Sequence, residues 1–291
     1  NEVVLSVLDE VQKKGDAALR IYGQKFDVSV PAVFEVPQEE LKAAAEKLKI
    51  NKREIYDALV YSHTLALKFA QEQRKSFSDF ETELEPGIVT GQKTIPVEKA
   101  GCYVPAGRFP LLSSVIMTVT PAVAAGVSGK PYADEVVMAA ADICGVNHLY
   151  AVGGAQAIGV MAYGTESIPK VDVIVGPGNK YVATAKKLVY GKVGIDMIAG
   201  PTEVMIIADG SANAEWVAAD LLAQAEHDVV AQPILVTTSI ALAEKVSAEI
   251  ENQLETLTTK ATARQSIDNF GVIIIADSLE QAAEIANKKA P

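Results

Sequence analysis

From Leu149 onward the chain alternates short apolar, β-branched runs with helix-length amphipathic stretches, and this alternation constrains the fold more than any other feature. The spacing predicts strand over 149–152, helix over 155–163, strand over 171–175, helix over 179–190 and strand over 204–208. It continues with helix over 213–228, strand over 233–238, helix over 240–257, strand over 272–276 and helix over 279–289. Apolar strands joined by helices of this length belong to parallel sheets covered on both faces, so the expected class is α/β. Ligands of such sheets collect at the carboxyl ends of the strands, which draws the eye to the loops after Val152, Val175 and Ala208.

Residues 1–90 read mainly as helix, with helical apolar spacing in Val3, Val4, Val7, Leu8 and Val11 and again in Ile55, Leu59, Leu65 and Phe69. Between them 28–36 reads as a short extended segment. Glycine turns break the alternation around 103–202, which predicts two incomplete Rossmann-like parallel-sheet domains with an N-terminal helical region. Residues 103–202 then form an insertion in a domain made of 1–102 plus 203–291. With 49% apolar and 22% charged residues the chain has an ordinary globular composition. A net charge of −11 excludes a general phosphate-backbone binder. The densest basic pair, Lys186 and Lys187, reads as a solvated helix face. No apolar run approaches the ~18 residues needed to span a bilayer and no signal-peptide pattern opens the chain, so the expectation is a cytoplasmic protein. Cys102 and Cys144 lie in no metal or redox spacing and read as small buried apolar residues.

Four segments can carry chemistry. Gly153-Gly154-Ala155-Gln156 and Gly176-Pro177-Gly178-Asn179 each join an expected strand to a helix, where glycine lets backbone N–H groups approach an anionic ligand. Neither matches GxGxxG, so each is either a nucleotide cradle or a tight packing turn. Tyr103 stands beside Val104-Pro105, an aromatic next to a turn, which suits a core edge as well as a cofactor platform. Thr202, in Gly200-Pro201-Thr202-Glu203, is on pattern alone a strand-entry residue. In the helix expected over 213–228, Gln224 and His227 share a face at a spacing of three and could present two ligands to one metal, although Gln is a rare zinc ligand. Residue pattern alone favours a structural pair there. His63 and His148 have no nearby partner in the sequence and read as structural.

Taken together, GCYVPAG, VGGAQAIGVMAYGTESIPKVDVIVGPGNKYV, DMIAGPTEV and DLLAQAEHD resemble the histidinol dehydrogenases, in order and spacing, over essentially the whole chain. The resemblance implies NAD contacts at Tyr103, Gln156 and Asn179 and a substrate contact at Thr202, where the usual residue is Ser. It further implies that Gln224 and His227 bind both Zn²⁺ and substrate, reversing the reading from pattern alone. The implied activity is a two-step oxidation of L-histidinol to L-histidine through the aldehyde with two NAD⁺, in a homodimer with no nucleic-acid or membrane partner.

Three departures accompany the likeness. The family's catalytic Glu-His pair is expected just after Pro291, with a further Asp and His as zinc ligands, so no catalytic acid or base is assigned within the chain. Around Ala125-Gly126-Val127-Ser128-Gly129 the family usually carries a longer stretch. At Ala106-Gly107-Arg108-Phe109-Pro110 it has a Gly-Gly step and no Arg-aromatic pair, and an Arg there could meet an anionic substrate bidentately. The alternatives are therefore a paralogous NAD/zinc dehydrogenase of another polar alcohol, such as a sulfonated diol, or a catalytically silent binding protein on the same scaffold.

Overall fold

The computed structural model describes residues 2–26, 30–105, 111–124, 128–129, 135–198 and 203–291. By compactness the chain falls into two units, Asn1–Ala199 and Gly200–Pro291. The first begins with helices α1 (Glu2–Lys14) and α2 (Asp16–Phe26), strand β1 (Glu35–Val36), helices α3 (Gln38–Asn51) and α4 (Arg53–Arg74), and strands β2 (Phe80–Glu85), β3 (Ile88–Gln92) and β4 (Lys99–Cys102). It continues with α5 (Leu112–Ala124), β5 (Ser128–Gly129), α6 (Glu135–Ile143), β6 (Leu149–Tyr150), α7 (Gly154–Tyr163), β7 (Val173–Val175), α8 (Lys180–Val189) and β8 (Gly194–Ile195). The second unit holds β9 (Glu203–Ala208), α9 (Ala214–Ala225), β10 (Gln232–Thr237), α10 (Ile240–Leu254), α11 (Lys260–Phe270), β11 (Val272–Ile275) and α12 (Leu279–Lys289).

The principal sheet of the first unit runs β5-β4-β7-β8, all parallel, with Gly101 beside Ile174 and Cys102 beside Val175. Successive residues point to opposite faces. Ile174 accordingly joins a core with α1, α2, α7 and α8, whereas Cys102 and Val175 join another with α3 to α6. α1 turns Val4, Val7, Leu8 and Val11 inward, the stripe its spacing predicts. The sheet of the second unit is also parallel, in the order β11-β10-β9. Leu235 of β10 faces a core with α9, α10 and α11, and Ile234 and Val236 face Ala282 of α12. Ser239 and Ser278 cap α10 and α12 through N–H bonds from Leu242 and Gln281 at 3.2 Å each. The protein is thus α/β with two partial parallel sheets.

Several expectations need correction. The strand at 149–152 is a two-residue segment pairing antiparallel with β1, Val36 opposite Leu149. The N-terminal stretch is not all helical: β2 and β3 form an antiparallel hairpin around Gly87, every residue of it exposed. The α4 spacing forms a helix, but Ile55, Leu65 and Phe69 stay exposed and only Leu59 of that set is buried. α11, which no apolar spacing announces, divides the segment between α10 and β11. Among the described residues no helix is long and apolar enough to cross a membrane.

Candidate functional site

Strands β4 and β7 end side by side, and this brings the first two chemical segments together. The Tyr103 N–H donates to the Val175 carbonyl at 2.7 Å, extending the ladder by one residue. The next residue on the other strand, Gly176, has φ 119°, and a Cβ on it would lie 2.1 Å from the Tyr103 carbonyl oxygen. Only glycine fits there. The Tyr103 hydroxyl accepts the Gly154 N–H at 3.2 Å, tying the β4 end to the start of α7. Gly154 is itself left-handed (φ 68°), and a Cβ would stand 2.9 Å from Gln156 Oε1. Gln156 is only 3% exposed.

Tyr103, Gln156 and Asn179 line one cavity of about 480 Å³, walled on its apolar side by Val3, Val7 and Phe26. That size lies within the ~300–1,000 Å³ of small-molecule sites, and apolar walls with a few placed polar groups are their usual lining. α7 begins at this cavity with no acidic residue in its first turn, and its N-cap residue, Gly153, has no side chain to cap it. Its positive dipole end thus suits an anionic group. Asn179 is the N-cap of α8, its Oδ1 accepting from Tyr181 N at 3.0 Å and Val182 N at 3.2 Å. The three residues expected to contact NAD are therefore brought together.

Lys186 does not lie on a solvated face. It is 2% exposed, because Val182, Ala185 and Val189 set the buried stripe of α8 and position 186 falls within it. Its Nζ donates to the Gly176 carbonyl at 2.9 Å and pairs with the Asp196 carboxylate. The other Asp196 oxygen accepts the Gly176 N–H at 2.8 Å. The helical stripe was the signal that could have found Lys186; Asp196 had none, since only the β7-β8 pairing brings it near.

In the second unit the expected helix over 213–228 ends at Ala225, so His227 stands beyond the Glu226 cap instead of within the helix. A turn keeps it near its expected partner: the His227 N–H donates to the Gln224 carbonyl at 3.2 Å. His227 Nδ1 lies 2.7 Å from the Ala223 carbonyl, which requires Nδ1–H as donor, so the tautomer of the neutral ring is the one with its lone pair on Nε2. Among the described residues Nε2 has no partner, and the buried Gln224 Nε2 has none either. Metal-binding histidines commonly donate their second nitrogen to a carbonyl in this way. No group of three or more His, Cys, Asp or Glu that could hold a metal occurs among the described residues. His227 Nε2 thus offers one zinc-compatible donor, and Gln224 would offer its amide oxygen only with the amide turned over.

Thr202, the Arg108-Phe109 pair and Ala125 to Val127 lie outside the described residues. The remaining histidines meet partners distant in sequence: His63 Nδ1 lies 3.0 Å from Thr120 Oγ1 and His148 Nδ1 2.6 Å from Glu35 Oε1. Burial lowers the His63 pKa and pushes the Cys144 thiol up to about 11, and both cysteines are buried. Neither thiol suits nucleophilic chemistry.

The model of the histidinol dehydrogenase family matches residues 1–291. The chain belongs to this family. A histidinol dehydrogenase of Aquifex aeolicus is 47% identical over 299 residues, covering 99% of this chain and 68% of that protein. One of Streptococcus mutans is 45% identical over 295 residues, with the same two shares. The crystal structure of histidinol dehydrogenase from Elizabethkingia anophelis superposes with a TM-score of 0.91 at 36% identity, covering all of this chain and 68% of that one. The chain thus spans about two thirds of these relatives' length. Family membership makes this a dehydrogenase chain, and it makes the parallel-sheet scaffold around the cavity that of histidinol dehydrogenases.

Proposed function

We propose that the protein carries out the NAD-dependent, zinc-assisted oxidation of L-histidinol to L-histidine through the aldehyde, the reaction that the names of its relatives point to. The observation that supports it most is the shared cavity of Tyr103, Gln156 and Asn179 at the adjoining ends of β4 and β7. Its apolar wall, its glycine turns and an α7 terminus free of acidic residues fit a dinucleotide, whose flat rings need apolar surface and whose diphosphate favours a helix N-terminus. When bound, NAD⁺ supplies the hydride acceptor and zinc the Lewis acid that orients the substrate and favours its anion.

The chain's own residues bind and orient. The α7 N-terminus and the Gly176–Asn179 turn attract the anionic part of the cofactor, and the Gln156 amide hydrogen-bonds it from a buried position. On the other unit, His227 Nε2 and the Gln224 amide, turned to present its oxygen, hold the metal and the substrate's polar groups. Thr202 contributes a hydroxyl to the substrate. The family resemblance implies further zinc ligands and a Glu-His acid/base pair, and the relatives are longer than the chain. The proposal also joins 1–102 and 203–291 in one domain, and places the protein as a cytoplasmic homodimer in histidine biosynthesis. No described residue speaks for a sulfonated-diol substrate, since Arg108 lies outside them.

The test is turnover by the complete, zinc-loaded protein. Two NADH formed per L-histidinol, with a sulfonated diol inert, supports the proposal. Oxidation of the diol in preference to histidinol, or no turnover of either, overturns it.

A further inference from the structure

We propose that Lys186 and Asp196 are positioning residues for cofactor binding: as a buried ion pair they clamp both backbone polar groups of Gly176 and thereby fix the turn that carries Asn179. The inference rests on the NAD⁺ reading of the cavity. Val175 is the last β7 residue in the ladder, its carbonyl taken by Tyr103 N–H. Beyond it the chain departs at a left-handed Gly176, and Pro177, with no N–H, cannot extend the ladder. Lys186 Nζ then takes the Gly176 carbonyl at 2.9 Å and Asp196 takes its N–H at 2.8 Å. Asp196 is anchored in turn, its N–H donating to the Ile174 carbonyl at 3.1 Å and its carboxylate accepting the Met197 N–H at 2.6 Å. The Tyr103 carbonyl, 2.1 Å from where a Cβ would stand, closes the third side of Gly176.

An ammonium buried to 2% exposure is costly for a helix whose neighbouring inward positions are Val182, Ala185 and Val189, where an apolar residue would pack equally well. What an apolar residue cannot do is bond the Gly176 carbonyl. The pair links the end of β7, the end of β8 and α8 at one residue, three positions before Asn179. Small displacements of groups that orient a ligand cost far more in binding than in folding, so the clamp acts on the cofactor side of the reaction.

The test uses the complete, zinc-loaded protein and steady-state kinetics with NAD⁺ and L-histidinol, together with direct NAD⁺ titration. The double variant Lys186→Met/Asp196→Leu removes the charges together and avoids an orphaned buried ion. It is expected to melt cooperatively, to hold wild-type zinc, and to raise KM and Kd for NAD⁺ by about tenfold, while KM for histidinol moves less than about twofold. Asp196→Asn keeps the shape and an acceptor, and is expected to raise KM for NAD⁺ by about threefold even if the double variant fails to fold. Unchanged NAD⁺ parameters in Asp196→Asn, or in a folded double variant, overturn the proposal and leave a purely structural ion pair. Gln156→Ala, measured alongside, separates the two inferences. Unaltered NAD⁺ affinity there defeats the cavity assignment itself, whereas loss there without loss in the clamp variants defeats only the clamp.

Discussion

The Gly176–Asn179 turn and the end of α9 treat their polar groups in opposite ways. At the turn the Gly176 N–H and carbonyl are held by Asp196 and Lys186 and the Asn179 side chain holds the first N–H groups of α8, while at the neighbouring start of α7 Tyr103 holds Gly154. At the end of α9, His227 Nε2 and Gln224 Nε2 face no partner among the described residues, and only His227 Nδ1 is held. The first arrangement suits a large ligand that reads backbone and shape, since a fixed frame lowers the ordering cost of binding. The second suits a histidine that completes a metal's shell, with its ring oriented by Nδ1 and its Nε2 left unbonded, beside an amide that would turn its oxygen to the same site.

The largest expected effect breaks the open end of this comparison. His227→Ala in the complete protein is expected to lower zinc affinity and turnover by ~100-fold or more, because even loss of an outer partner costs 10- to 100-fold. Its melting temperature should stay near wild type, since the residue is exposed. Zinc content after dialysis checks it, and undiminished zinc would make the pair structural. At the bonded end, Gly154→Ala forces a left-handed alanine at a cost of about 1–2 kcal/mol and pushes its Cβ onto Gln156 Oε1. The expected outcome is a lowered melting temperature together with weakened NAD⁺, read by calorimetry and titration.

A finer test separates cap from ligand contact. Asn179→Ala removes the α8 cap and is expected to cost about 1 kcal/mol. Asn179→Asp keeps the accepting oxygen, so stability should return, while NAD⁺ binding stays weak because the added negative charge faces an anionic cofactor. Recovery of both would reduce Asn179 to a cap. The smallest effect lies outside both regions. Burial lowers the His63 pKa, so below the ordinary histidine value of 6.5 the unfolded chain binds the proton first. The contribution is complete above about pH 6.5 and is lost as pH falls below it. His63→Gln should flatten that limb of the melting-temperature profile.

How legible these regions are depends on what local spacing can carry. The second unit is readable because its strands are apolar and its helices open on Ser239 and Ser278; 279–289 forms a helix as the spacing predicts. α11 escapes because KATARQSIDNF buries only Ala263 and Ser266, too little for an apolar stripe. The β2-β3 hairpin escapes because none of its residues is buried, so no period marks it. Tyr103, Gln156 and Asn179 are marked by turns and resemblance, but their convergence depends on β4 pairing with β7, a contact no local pattern encodes. Lys186 reads wrongly from sequence because a charged side chain ordinarily marks a solvated face, whereas its partner Asp196 is brought to it only by the pairing of β8 with β7.

The most direct measurement is the dissociation constant of NAD⁺ for the complete protein and for Tyr103→Phe, Gln156→Ala and Asn179→Asp, with zinc content measured on the same samples. One cavity holding the cofactor predicts weaker NAD⁺ in all three, largest for the buried Gln156, at unchanged zinc. NAD⁺ bound equally well by all three, or zinc lost in step with it, would contradict that placement.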